Sequence, residues 1–162
     1  MDLLGKARSQ QNLLERIANR IPGFRGYREK ELRRDADRLE REHLARQLED
    51  CRKALDAWAA EATRSGGLES INDIETARKR LDKVTARIRF ADRGYAGFFD
   101  AIKVDEEALQ RVYAFDETLL GHVEAIRQTR SWTSDAVRGM IERIDALDAR
   151  LGEREELLSG IR

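Results

Sequence analysis

The chain has 162 residues, of which ten are aromatic and one is cysteine, and its 31 basic side chains balance 31 acidic ones. This length suffices for one domain with a sizeable core. A net charge of zero disfavours nucleic-acid binding, which usually uses a strongly basic surface. One cysteine excludes an internal disulfide, and no stretch approaches the roughly 20 apolar residues of a spanning helix. We therefore expect a cytoplasmic protein, with peripheral membrane attachment as the alternative.

Apolar residues recur at helical spacing along the chain. An amphipathic helix is predicted over residues 1–20, because Pro22 disfavours helical geometry in the residue before it. A long helix over 27–65 ends at a glycine pair, where glycine suits a left-handed cap. In its second half, apolar residues step by four and three as in a coiled-coil seam. These residues are Leu44, Leu48, Cys51, Leu55, Trp58 and Ala62.

Three further helical segments follow. A helix over 70–91 leads into a glycine- and aromatic-rich connection over 92–104. A helix over 105–130 has the clearest start, because Asp105 can cap it and two glutamates follow in the first turn. The last helix covers 134–160. We predict an all-α fold: an elongated antiparallel bundle or coiled coil of four main helices, preceded by the short amphipathic helix.

Helix lengths predict where the glycine-rich connection lies. At roughly 1.5 Å per residue, the long helix spans about 57 Å and its three partners span about 33–39 Å each. The helix over 70–91 therefore ends opposite the middle of the long helix. The connection over 92–104 should then lie against the first half of the long helix, near the segment IPGFRGY at 21–27.

Two segments combine glycine with aromatic residues and share Arg-Gly-Tyr: GFRGY at 23–27 and RGYAGFF at 93–99. We expect them to form one cap at the end of the bundle, because aromatic rings fill irregular space and glycines permit tight turns. The alternative is an exposed patch that docks a partner helix, an anionic lipid surface or a nucleic acid. The candidate partner-binding residues are Phe24, Arg25, Tyr27, Arg28, Arg93, Tyr95, Phe98 and Phe99.

Other polar residues give weaker signals. Glu40 and His43 have the Glu-x-x-His spacing of di-iron bundles, but no second such step accompanies them, so we expect a solvated helix face. Cys51 lies on an apolar seam, as a core residue does. Asp116 and Arg154 interrupt otherwise apolar seams. They either pair inside the bundle and fix its register or lie at its edge.

The N-terminal region is basic. Residues 1–34 carry nine basic and four acidic side chains, and the helix over 1–20 is amphipathic. A helix lying on an anionic membrane has this pattern, and so does a helix that folds back onto its own bundle. Fold-back is the more common arrangement, and we expect it here.

The run IPGFRGYREKELRRDADRLEREHLARQLE, with DRGYAGFFDAIKV downstream, resembles a set of uncharacterised bacterial all-helical proteins. The resemblance covers residues 20–105 and implies a helical fold but no known activity. In architecture alone, an amphipathic first helix before a long coiled hairpin is similar to phage-shock-type membrane-remodelling proteins.

These patterns favour a non-catalytic interaction or scaffold module that binds a protein partner or itself. The residue types needed for acid–base, nucleophilic or metal chemistry are absent or unaccompanied, so we predict no enzyme activity, cofactor, metal ion or small-molecule substrate. The alternative is a peripheral membrane protein that uses the first helix and the basic residues of 16–34. Nucleic-acid binding is the third possibility.

Overall fold

The structure is a computed structural model that describes residues 2–91 and 96–161. Over these residues the chain forms six α-helices and no strand, so the all-α prediction is confirmed. No helix among them is long and apolar enough to cross a membrane. The helices are α1 (Leu3–Arg20), α2 (Lys30–Ser65), α3 (Leu68–Arg89), α4 (Ala96–Asp100), α5 (Glu106–Arg127) and α6 (Ser134–Gly160).

Local chemistry sets most helix ends. Asp105 caps α5 as predicted, since its Oδ1 accepts from the backbone N–H of Ala108 at 2.7 Å. Thr133 caps α6 in the same way. Gly66 ends α2 in the left-handed conformation, with φ at 74°. The start of the long helix differs from the prediction, because it begins at Lys30 and residues 21–29 form an irregular segment.

Four long helices pack in a four-sided arrangement, in which α2 contacts α3 and α5, and α6 contacts the same two helices. Ion pairs between α2 and α3 show that these two run antiparallel, because Arg52 pairs with Asp82 and Asp56 pairs with Arg78. In contrast, α3 and α6 run parallel, because the residue numbers of both partners increase from one ion pair to the next. These pairs are Asp73–Arg138, Arg80–Asp145 and Arg87–Asp148.

Helix α1 folds back onto the outside of α5. Gln10 Nε2 donates to the carbonyl oxygen of Glu106 at 2.9 Å, and Arg16 pairs with Glu117 at 3.0 Å, so the two helices run parallel. Gln110 Nε2 donates to Ser9 Oγ at 3.4 Å, so Ser9 lies beside the second turn of α5 and the first turn of α1 lies near the start of α5. Leu3 and Leu4, at that end, are 71% and 77% exposed.

The connection to α2 returns along the bundle. Arg28 pairs with Glu106, so α2 begins level with the start of α5 although α1 ends much further along it. Helix α4 lies against the first turns of α2, where Arg34 pairs with Asp100 at 3.0 Å. The described part of the glycine-rich connection thus lies where the helix lengths predicted.

Candidate functional site

The ring of Tyr27 is the centre of a buried aromatic cluster at one end of the bundle. It meets Phe24 edge-on at 5.5 Å and Phe98 edge-on at 5.3 Å, and it stacks on Tyr113 at 5.5 Å. Phe99 extends the cluster, 5.6 Å from Phe98. The segment 21–29 and α4 therefore close this end together, as a cap does. We call this region the corner: residues 21–41, 96–105, Tyr113, Asp116 and Arg154.

Burial separates the predicted partner-binding residues into groups. The rings of Phe24, Tyr27, Phe98 and Phe99 are at most 4% exposed, which corrects the alternative of an exposed aromatic patch at these four positions. The rings are buried because they pack on one another and on α5 and α6. Arg25 and Arg28 are exposed, and their contact with a partner stays a prediction. Arg93 and Tyr95 lie outside the described residues.

Glycine shapes the approach of the segment 21–29 to α5. Gly26 has φ at +87°, and a Cβ there would overlap the hydroxyl of Tyr113 and approach Leu14 Cδ1 to 2.9 Å. The close approach lets the backbone N–H of Tyr27 donate to Tyr113 Oη at 2.8 Å. A loop amide is thereby satisfied inside the core.

Arg33 joins the returning segment to α4. Its guanidinium is buried, and its Nε donates to the carbonyl oxygen of Tyr27 at 2.8 Å. Its Nη1 donates to the carbonyl oxygen of Ala101 at 2.5 Å. The cation thus satisfies backbone groups that neither a helix nor a sheet would satisfy.

A network of buried charges lies beneath the aromatic rings. Arg154 Nε donates to Asp116 Oδ1 at 2.8 Å, and Arg154 Nη2 donates to Asp37 Oδ1 at 2.8 Å. The predicted pairing of Asp116 with Arg154 inside the bundle is confirmed, while a role in fixing register stays a hypothesis. We call this set the charged network: Tyr27, Asp37, Glu40, Arg41, Asp116 and Arg154.

The charged network ties several elements together. Arg41 Nε donates to Asp37 Oδ2 at 2.7 Å, and its Nη1 donates to the carbonyl oxygen of Arg89 at the end of α3 at 2.8 Å. Tyr27 brings in the segment 21–29, Asp116 belongs to α5 and Arg154 to α6. The network therefore fixes the relative positions of four helices and one loop.

Glu40 corrects an expectation from the sequence. It is 1% exposed and belongs to the charged network, not to a solvated helix face. Burial, and the nearby Asp116 carboxylate, raise its pKa well above the usual glutamate range. Continuing the alternating steps back from Leu44 reaches Arg41 and Asp37, two charged residues that are buried in the network. This spacing signals the site in part, but it passes one position away from Glu40.

Access limits the chemistry of the charged network. No member of it is more than 7% exposed, so a substrate in solution cannot reach it. Among the described residues, no group of three or more His, Cys, Asp and Glu side chains is arranged to hold a metal ion. The network can hold elements together and hold a proton.

The outer surface carries a groove of about 390 Å³ between α2 and α5, beside the first turns of α6. Its apolar lining is formed by Cys51, Ala54, Trp58, Ile126 and Met140. Its charged lining is formed by Asp50, Glu124, Arg127 and Arg130. Burial raises the pKa of Cys51 to about 11, so this cysteine is a protonated thiol at neutral pH and not a nucleophile.

No protein-family model, curated protein or solved structure matches the chain. The geometry of the corner and of the groove is therefore the basis for a functional proposal.

Proposed function

We propose that the chain is a non-catalytic helical interaction module whose partner site is the groove between α2 and α5. One observation carries the proposal: the groove continues the line of α1. Helix α1 lies along the first half of α5, where Arg16 pairs with Glu117, and the groove begins further along α5, at Glu124. Helix α5, on which α1 lies, thus offers uncovered space further along for a second helix.

The lining of the groove fits an amphipathic helix from another protein chain. Helix-in-groove recognition places apolar anchors on an apolar floor, with charges along the rim. Trp58 and Ala54, both half-buried, supply such a floor, and a half-buried tryptophan is a frequent centre of binding energy. Asp50 on α2, and Glu124 and Arg127 on α5, give the rim both signs of charge, which favours a helix that also carries both signs.

The corner supports this function by holding the module rigid. Its aromatic rings and charged network fix the ends of α2, α3, α5 and α6, and exposed Arg25 and Arg28 extend the charged surface. The three-and-four spacing along these helices supports antiparallel coiled-coil packing of the sequential pairs. We place this scaffold in the cytoplasm, where its single cysteine stays reduced.

Site-specific cross-linking in the native cell tests the proposed groove. A photoreactive residue at Ala54, inside the groove, should give a discrete cross-linked product, and Trp58→Ala should abolish it. The matched control is the same photoreactive residue at Lys79, which is exposed on α3. Equal products from both positions would count against the groove. Sedimentation velocity then shows whether the partner is a second copy.

The free end of α1 favours a second candidate function, attachment to an anionic membrane surface. Leu3 and Leu4 are exposed there, next to the exposed basic residues Lys6 and Arg8. Co-sedimentation with anionic liposomes should then fall for the double variant Leu3→Ser, Leu4→Ser. Absence of lipid binding by the natural chain at low salt would rule this function out.

A further inference from the structure

The hydroxyl oxygen of Tyr27 makes two short contacts with carboxyl oxygens, but the hydroxyl has only one hydrogen to donate. Tyr27 Oη lies 2.9 Å from Glu40 Oε2 and 2.5 Å from Asp116 Oδ2. A phenol has one hydrogen to donate, and an ionised carboxylate has none. Two hydrogen bonds therefore require a second proton on one of the two carboxyl groups.

Asp116 and Asp37 have the best hydrogen-bond donors among the carboxyl groups of the charged network. Asp116 makes the shorter contact to Tyr27 and also accepts from Arg154 Nε at 2.8 Å. Asp37 accepts from Arg154 Nη2 at 2.8 Å and from Arg41 Nε at 2.7 Å. Each carboxylate thus has two short, charge-assisted or phenolic donors. The hydrogen of Tyr27 goes to Asp116.

Glu40 has much poorer donors. Its nearest guanidinium nitrogen is Arg154 Nη2 at 3.3 Å, and that nitrogen lies closer to Asp37. Its Oε1 is buried and meets no hydrogen-bond donor among the described residues. A cavity of about 10 Å³ borders it, room for the centre of one water molecule at most. Its other lining residues are Arg41, Leu44, Ile88, Ala91, Leu119, Leu151 and Arg154.

We propose that Glu40 holds a proton on Oε2 in the folded protein at neutral pH and donates it to Tyr27 Oη. The hydrogen bonds then run in one direction, from Glu40 to Tyr27 to Asp116. The formal charges also balance, because two carboxylates, Asp37 and Asp116, face two guanidiniums, Arg41 and Arg154. Arg33, the other buried guanidinium in the described part of the chain, faces backbone carbonyl oxygens instead.

The proton on Glu40 is needed to complete the hydrogen bonds that hold the corner together. Removing it leaves a third carboxylate in the charged network, facing the oxygen of Tyr27 without a donor, which loosens the hold of the network on the segment 21–29 and on α6. Glutamate in an unfolded chain titrates near pH 4.3, and folded Glu40 keeps its proton to higher pH. The contribution of Glu40 to stability should therefore fall as pH rises above about 4.3, by roughly tenfold in the unfolding equilibrium constant per pH unit, until folded Glu40 titrates.

Comparison of the natural chain with Glu40→Gln tests the proposal, because glutamine mimics the protonated acid at every pH. Urea unfolding between pH 5 and 8 should show the natural chain losing stability relative to Glu40→Gln, by roughly tenfold in equilibrium constant per pH unit until folded Glu40 titrates. The control Glu42→Gln, exposed on the same helix, should show no such trend. A difference between the natural chain and Glu40→Gln that stays constant with pH would overturn the proposal.

Infrared spectroscopy gives a second test, whose negative outcome is read on the natural chain alone. In D2O at neutral pD, the carbonyl stretching band of a protonated carboxyl group should be present in the natural chain and in Glu42→Gln. Its assignment to Glu40 follows from its loss in Glu40→Gln. A natural chain without this band would show that Glu40 is ionised and would contradict the proposal.

Discussion

Two regions of the bundle are equally buried, but one is held together by apolar packing and the other by hydrogen bonds and ion pairs. In the apolar half, beyond Leu44, residues such as Leu55 and Leu81 are fully buried and pack without polar partners. In the corner, Asp116 and Tyr27 are as fully buried, but each depends on specific donors and acceptors. Apolar burial stabilises without direction, whereas buried charges stabilise little overall and penalise misplacement. The corner therefore fixes the relative positions of the helices more than it adds to the free energy of unfolding.

The largest effect should come from removing the central cation of the corner. Arg154→Met leaves buried carboxylates without their guanidinium, and we expect a loss of about 3–5 kcal/mol in the free energy of unfolding. Urea unfolding measures it. The control Arg138→Met removes a surface arginine of the same helix, 64% exposed, and should change stability by less than about 0.5 kcal/mol. Equal effects of the two variants would mean that the buried network is energetically unimportant.

Truncation in the apolar half should be nearly as costly but for another reason. Leu55→Ala removes buried methyl groups and leaves a cavity, which costs about 2–5 kcal/mol. No titratable group is involved, so the loss should be the same at pH 5 and pH 8. A loss that changed strongly with pH would show that the two halves are not independent.

Two glycines with similar backbone angles give a matched pair across the two regions. Gly66 has φ at +74°, and a Cβ at this position would meet no atom within 4 Å, so Gly66→Ala should cost only the conformational penalty of about 1–2 kcal/mol. Gly26→Ala carries the same penalty and also displaces the hydroxyl of Tyr113, which adds about 1–3 kcal/mol. Thermal unfolding of both variants measures the difference, and equal losses would contradict the tight packing of the corner.

The smallest effect is expected at the edge of the corner. Arg28 and Glu106 form an ion pair whose side chains are 62% and 57% exposed. Solvent screens such a pair, so Arg28→Gln should lower stability by about 0.2–1 kcal/mol at low salt and by less at high salt. A large, salt-independent loss in urea unfolding would show that Arg28 belongs with the buried network.

The sequence predicted the parts of the fold that depend on local rules. The start of α5 was predicted because Asp105 can cap the helix. The position of α4 against α2 was predicted from the lengths of the helices. The start of α2 at Lys30 was missed, because residues 21–29 are shaped by contacts with Tyr113 that lie far away in sequence. Glu40 was missed because a charged residue on a helix is ordinarily solvated. Only packing of three helices around it turns it into a core residue.

Native-state hydrogen exchange at the backbone amide of Tyr27 tests most directly whether the corner is part of the core. This amide lies in an irregular segment, yet it donates to the buried hydroxyl of Tyr113 at 2.8 Å. We expect it to exchange only by global unfolding, with protection equal to that of Leu48 and Leu55 in the apolar half. Exchange at the rate of an unstructured peptide would show that the corner is not a buried, position-fixing core.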